Sequence, residues 1–192
     1  IKIYQTLISC YVLIGDFDHA VQTIELIRGR VLAEQISGID FSDVGPLFLR
    51  EIQHTLAGDT AIMIYVENPE NASFLRLFVT KTGVEASEHS KAEFARQLTE
   101  RYQPQMDRVL GNEVLTDDAF ARVIRFYREL MIQEWPIASI SRGLYDFLFE
   151  DAEEQLAQKT TLIIMPDGML NFLPFEALLE PGGNYLIESH DI

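Results

Sequence analysis

Cysteine is almost absent from these 192 residues, Cys10 being the only one. A lone thiol excludes an intramolecular disulfide and a multi-cysteine metal site, and both exclusions favour a reducing, cytoplasmic setting. Long apolar runs are missing as well. None approaches the roughly 20 residues of a membrane span. No secretory signal is visible, although a chain opening on Ile1 rather than Met reads as trimmed. Basic residues are scarce, 15 against 30 acidic ones, giving a formal net charge of −15. That balance argues against direct nucleic-acid binding and against docking on anionic membranes. It suits solubility, or attraction to a basic partner. No Gly-x-Ser-x-Gly elbow, phosphate loop or dinucleotide fingerprint is present, so no cofactor is expected. His19, His54 and His89 are scattered without metal-ligand spacing, which leaves surface or capping roles and no metal site.

What is there is a core-forming chain. Hydrophobic residues make up 47% of it, which excludes disorder. The first segment reads as a helix pair. Tyr4, Leu7, Ile8 and Tyr11 have helical spacing, Gly15-Asp16 breaks the helix, and Asp16 can cap the next. The second helix carries Ala20, Val21, Ile24, Ile27 and Val31 on one face and runs to about Gln35. Ser37-Gly38 ends it. Ile39 to Ser42 is a linker, and Ser42 and Pro46 open a helix with Val44, Leu47, Phe48, Ile52 and Leu56 inward. Gly58 closes that helix.

The period then changes. Ala61 to Val66 is a strand, and Asn68 to Asn71 a turn. Phe74 to Thr80 alternates as a second strand, Thr82-Gly83 turns the chain, and Val84 to Glu88 is a third, completing an antiparallel meander. Three helical stretches follow. The first, Lys91 to Leu110, should kink or break at Pro104. The second starts at Asp117-Asp118 with acids at the positive end of its dipole and ends at Trp135-Pro136. The third runs from Ser141 to Glu150. Thr161 to Met165 is a continuous apolar run, as in a strand buried on both faces. Pro166-Asp167-Gly168 stops it in a tight turn, and Pro174 fits the first turn of a short helix. Tyr185 to Glu188 reads as a further strand.

Two segments resemble known families. Tyr4-x-x-Leu7-Ile8-x-x-Tyr11, with Gly15-Asp16-Phe17-Asp18-His19-Ala20 and Ile24, resembles a tetratricopeptide repeat, with Ile8 where a small residue is usual. One repeat does not bury its own faces, so it reads as the end of an array. Leu162-Ile163-Ile164-x-Pro166-Asp167-Gly168-x-Leu170-x-x-Leu173-Pro174-Phe175-Glu176-Ala177-Leu178, followed by Tyr185-Leu186-Ile187-Glu188, resembles the first block of the CHAT domain, a caspase-like family associated with such repeats. The fold expected is α/β and caspase-like but incomplete, with a small antiparallel meander and helical insert, preceded by the repeat hairpin. The division is residues 1–36, the helix pair, and 37–192, the N-terminal part of a CHAT domain.

The resemblance implies a cysteine endopeptidase of the caspase–separase group, acting in regulated proteolysis or prokaryotic defence. Its His sits in a His-Gly context and its Cys follows a later strand, usually after Ser-Ala. Neither motif occurs here, and family order puts both beyond Ile192, so this chain alone is expected to be inactive, with no catalytic residue of its own. Cys10 reads as a packed thiol rather than a nucleophile. His190, beside Asp191, is not followed by Gly and does not match the family's His. Asp167 is first a turn residue. A sharper reading uses its position: ligands of open parallel sheets bind beyond the carboxyl ends of strands. Asp167, with Asn171, would then border a substrate cleft and read a basic residue of a protein substrate. Tyr4 and Tyr11 are candidates for a partner-binding groove. The resemblance points to a protein partner held through the repeat region, an RNA-guided effector in some members. The alternative is a non-catalytic interaction scaffold built on the repeat.

Overall fold

The computed structural model describes residues 2–35, 49–68, 72–111 and 118–192. Helices α1 (Lys2–Leu13) and α2 (Phe17–Gln35) form a hairpin turned at Gly15, which takes φ +76°. Asp16 opens α2 by accepting the His19 N–H at 3.3 Å and meeting the His19 ring at 2.8 Å. Ala20, Val21 and Ile24 are buried, as the spacing requires. The helix end at Ser37-Gly38, the linker Ile39 to Ser42 and the helix start at Ser42 and Pro46 lie outside the described residues. The described remainder of that helix is α3 (Leu49–Thr55).

Strands β1 (Thr60–Asn68), β2 (Ser73–Thr80) and β3 (Val84–Ser90) form the expected meander. Ala61 pairs with Thr80 at one end of β1–β2 and Asn68 with Ser73 at the other, and β3 runs antiparallel along β2. Helices α4 (Lys91–Leu110), α5 (Ala119–Ile132), α6 (Ala138–Phe149) and the short α7 (Glu153–Leu156) fill the insert. Strand β4 (Thr161–Met165) then returns parallel to β1, giving the order β3-β2-β1-β4. Two 3₁₀ turns and α8 (Leu186–Ser189) follow.

The result is a mixed α/β architecture with the sheet between two helical layers. Side chains alternate across a pleated strand, so each strand feeds two cores. Ala61, Met63, Tyr65, Phe74 and Phe78 face α4–α6, among Phe94, Phe120, Tyr127 and Leu144. Ile62, Ile64, Val66, Leu75, Leu77 and Val79 face α1–α3, among Ile8, Val21, Ile24 and Leu49. Each Val, Leu, Ile, Met or Phe among them stabilises the fold by about 1.5–3 kcal/mol when fully buried. The alternation in β2 therefore separates two buried faces. Arg76, on the α4–α6 face, is buried and donates through Nη1 to the Leu148 carbonyl at 2.9 Å. The Tyr65 hydroxyl donates to the same oxygen at 3.1 Å. A carbonyl in the last turn of α6 has no partner within its helix, and these two donors satisfy it.

Four expectations need correction. Pro104 does not break its helix, because α4 runs unbroken from Lys91 to Leu110. Proline removes one intrahelical bond, and Phe94, Leu98 and Met106, buried on either side of it, keep both halves packed. The β4 run is not buried on both faces. Leu162 is fully buried, but Ile163 is 43% exposed, since β4 is the outermost named strand. The stretch after Tyr185 is helical, not a strand. Glu188 folds back to accept the Tyr185 N–H at 2.7 Å, closing a turn. On α1, whose helical spacing holds, Ile8 is buried and Tyr11 half-buried, while Tyr4 and Leu7 are exposed. Cys10 is exposed rather than packed. It lies two residues from Ile8, about 200° around the helix, and so on the opposite side. Among the described residues, no helix is long and apolar enough to cross a membrane.

Candidate functional site

The parallel pairing of β1 with β4 brings two carboxyl strand ends together, and the Pro166-Asp167-Gly168 turn closes over them. Asp167 ties that turn down. Its Oδ2 accepts the backbone N–H of Glu67, at the end of β1, at 2.9 Å, and its Oδ1 accepts the Gly168 N–H at 2.9 Å. Gly168 has φ +54°, and a Cβ there would meet the Glu67 carboxylate. Glycine is thus favoured by the left-handed conformation, and a side chain here would also displace the end of the Glu67 side chain. Glu67 in turn forms an ion pair with Lys91, at the start of α4. From Gly168 the chain enters a 3₁₀ turn, and the Asn171 amide donates to the Gly168 carbonyl at 2.9 Å. Leu170, Leu173, Phe175 and Leu178 are buried beneath, so the apolar residues of the motif anchor the turn to the α4–α6 core.

Above the strand ends lies a cleft of about 520 Å³. Gln5, Ile8, Ile24, Ile27 and Arg28 line it from the helix pair, and Val66, Met165, Pro166, Asp167 and Asn171 from the sheet side. Asp167 and Asn171, singled out in the sequence, therefore share one cleft wall. Tyr4 and Tyr11 do not join them. Tyr11 stacks on His19, their rings 5.2 Å apart, and Tyr4 faces outward.

Arg28 is the cleft residue that the sequence reading missed. Its Nη2 donates to the carbonyls of Tyr65, Met165 and Pro166 at 3.3, 3.2 and 3.4 Å. Burial pulls its pKa below the usual guanidinium range, and the carboxylates of Asp167 and Glu25 oppose that shift. The signal was a cation inside an apolar helical stripe, Ile24, Ile27, Arg28 and Val31.

His190 sits at the other end of β4. Its Nδ1 lies 2.9 Å from the Lys159 carbonyl and its Nε2 3.3 Å from Glu180. Both ring nitrogens are thus engaged, far along the strand from the cleft, and the ring clamps the chain around β4. His19 and His54 are exposed. Ser87, His89 and Asp151 form a trio of hydrolase-like composition, and its geometry is wrong for a relay. The Ser87 hydroxyl, at 2.8 Å, and Asp151, at 3.7 Å, approach the same ring nitrogen, Nε2. A relay needs one partner on each nitrogen. Burial, and then Arg76, push the His89 pKa down to about 4. Among the described residues, no group of three or more His, Cys, Asp or Glu side chains is placed to hold a metal ion.

Comparison with known proteins agrees with the motif. The model of the CHAT domain family matches residues 139–192, from the start of α6 through β4 and the cleft turn. Over that stretch the chain is similar to the CHAT domain. No curated protein and no solved structure matches the chain.

Proposed function

We propose that the chain is a portion of a caspase-like cysteine endopeptidase, in which a CHAT domain follows the end of a tetratricopeptide array. The observation that carries this reading is the CHAT match over 139–192 coinciding with a turn at the carboxyl ends of two parallel strands, where α/β sheets place their ligands. In this reading β4 is a core strand of the caspase-like sheet, and Asp167 and Asn171 border the substrate cleft. The catalytic His and Cys stand on segments that follow Ile192 in family order. Regulated proteolysis of a protein substrate, in prokaryotic defence among other settings, is the activity proposed, with the helix pair receiving a protein partner such as an RNA-guided effector.

The test is the reading frame beyond Ile192, followed by a peptidase assay. A His-Gly after one strand and an Ala-Cys after a later strand are expected. The complete protein should cleave a peptide library, and Cys→Ala at that position should abolish cleavage. The 192-residue chain should be inactive. Cleavage by this chain alone, lost in Cys10→Ala or His190→Ala, would overturn the reading.

A second reading, an interaction scaffold, is favoured by the outward apolar residues of the helix pair. Ile3 is 81% exposed, and Tyr4, Leu7 and Leu26 are exposed with it. If no dyad follows in the reading frame, this reading replaces the first.

A further inference from the structure

Strand β3 ends the sheet on the side away from β4, and among the described residues it pairs with β2 alone. Half of its backbone is used there. The Thr80 N–H donates to the Gly83 carbonyl at the turn before β3, and the Lys91 N–H to the Ala72 carbonyl just after it, both at 2.9 Å. Antiparallel bonding alternates along a strand. Glu85, Ser87 and His89, in step with Gly83 and Lys91, therefore bond β2, and Val84 and Ala86 turn their N–H and C=O groups to the open side. Among the described residues, no backbone hydrogen bond reaches those four groups. The edge is regular as well. β3 matches β2 residue for residue from Val84 to Ser90, without a bulge, and contains no proline. Bulges and prolines are two of the usual means of blunting an edge.

A groove runs beside this edge. The side chains of Val84 and Ala86 stand on the α1–α3 face, where Val79 and Leu77, their partners in β2, are buried. On that face a space of about 380 Å³ opens between β3 and the helix pair, with Val12, Leu13, Phe17, Leu75 and Ala86 in its wall. Leu13 is 84% exposed. A strand laid along β3 sets every second side chain on this face. Its other side chains run beside Glu85, on a chain of net charge −15. An acidic strand is disfavoured by both, and so is a second copy of this chain.

We propose that β3 takes an extended segment of a protein partner as a further strand, with apolar residues at alternate positions toward Leu13, Phe17 and Ala86 and neutral or basic residues between them. Main-chain bonds to Val84 and Ala86 hold the segment, and the groove selects its side chains. The site lies outside residues 139–192 and shares no residue with the cleft at the strand ends, so it is independent of the peptidase reading.

Titration of the ¹⁵N-labelled chain with acetyl-Thr-Val-Lys-Leu-Lys-Val-Thr-amide tests it. Shifts should map to β3 and the groove. Amide exchange at Val84 and Ala86 should slow at least about tenfold on saturation, while Glu85 and Ser87, already bonded to β2, change little. N-methylation of the Val and Leu residues of the peptide, or of its Lys residues instead, should abolish binding in one case and spare it in the other, because only one edge of the peptide meets β3. The version with glutamate for lysine should bind at least about tenfold more weakly. Leu13→Asp should weaken binding by about tenfold and leave the fold intact by circular dichroism. No binding, binding without protection of Val84 and Ala86, equal loss from both methylated peptides, or equal affinity for the acidic version would overturn the assignment, as would unchanged affinity in Leu13→Asp. Protection at Val84 and Ala86 that rises with protein concentration in the absence of peptide would overturn it in favour of pairing between copies. If Leu13→Asp disturbs the fold, the two methylated peptides on the unaltered chain decide alone.

Discussion

Replacing Asp167 by alanine separates two roles that its position allows. The side chain accepts two backbone N–H bonds, from Glu67 across the sheet and from its neighbour Gly168. The first joins β1 to the turn after β4, so its loss loosens a junction made by residues 100 apart in sequence. Hydrogen bonds to a charged partner contribute about 1.5–3 kcal/mol each. Asp167 is only half-buried, and water can replace part of what is lost, so the pair together should be worth about 2–3 kcal/mol. For a chain of this size each kcal/mol shifts the melting temperature by about 2–4 °C, so Asp167→Ala should melt roughly 4–12 °C lower. Asp167→Asn keeps one acceptor oxygen and should lose about half as much. Thermal and urea unfolding followed by circular dichroism measure both variants. An Asp167→Ala melting temperature equal to that of the parent would refute the reasoning. The carboxylate would then owe nothing to the turn, and a fall in cleavage by the complete enzyme would mark it as a substrate contact.

Gly168→Ala should cost about 1–3 kcal/mol, since the new methyl meets the Glu67 carboxylate at a left-handed φ. The Lys91–Glu67 pair should be disturbed with it, and chemical denaturation reads the loss. Tyr65→Phe removes one of two donors to the Leu148 carbonyl and should destabilise by about 1 kcal/mol, with the near-ultraviolet spectrum otherwise unchanged. His89 gives a pH dependence. Its folded pKa of about 4 lies below its ordinary 6.5, so the unfolded chain takes up a proton first on acidification. Its contribution is complete above the unfolded value, falls as pH drops from about 6.5 to about 4, and levels off below. Parent minus His89→Gln, measured across that range, should show this slope, and a flat difference would show that burial does not hold the imidazole neutral.

Much of the fold was legible because its signals are local. The meander announced itself through alternation and the Thr82-Gly83 turn, and α2 through its Ala20–Ile24 face and Asp16 cap. The errors came where tertiary packing outweighed local preference. Pro104 stays within a helix whose residues on each side are packed into the core. Among the described residues, Tyr185 to Glu188 meets no strand beyond a single bridge of Tyr185 to Leu179, and Glu188 satisfies the Tyr185 N–H locally. Cys10 looked packed because its helix is apolar almost all round, and periodicity does not say which side of such a helix meets the sheet. The sheet side of the cleft was legible in the Pro166-Asp167-Gly168 turn. Its helix side was not. Arg28 becomes a cleft residue only through the carbonyls of Tyr65 and Met165, 37 and 137 residues away, and no window of sequence contains that meeting.

The parallel pairing of β1 with β4 also sets a timetable. Thr60 aligns with Thr161, so the ribosome makes about 100 further residues before β1 receives its second neighbour. At about 5–20 residues per second that interval is roughly 5–20 s. Throughout it, β2 and β3 can zip onto one side of β1, whereas the other side waits as an uncovered apolar strand from Ala61 to Val66. The motif at Leu162 is thus the late-arriving cover of the sheet. Slow or interrupted translation between α4 and α7 would expose β1 to pairing with other nascent chains.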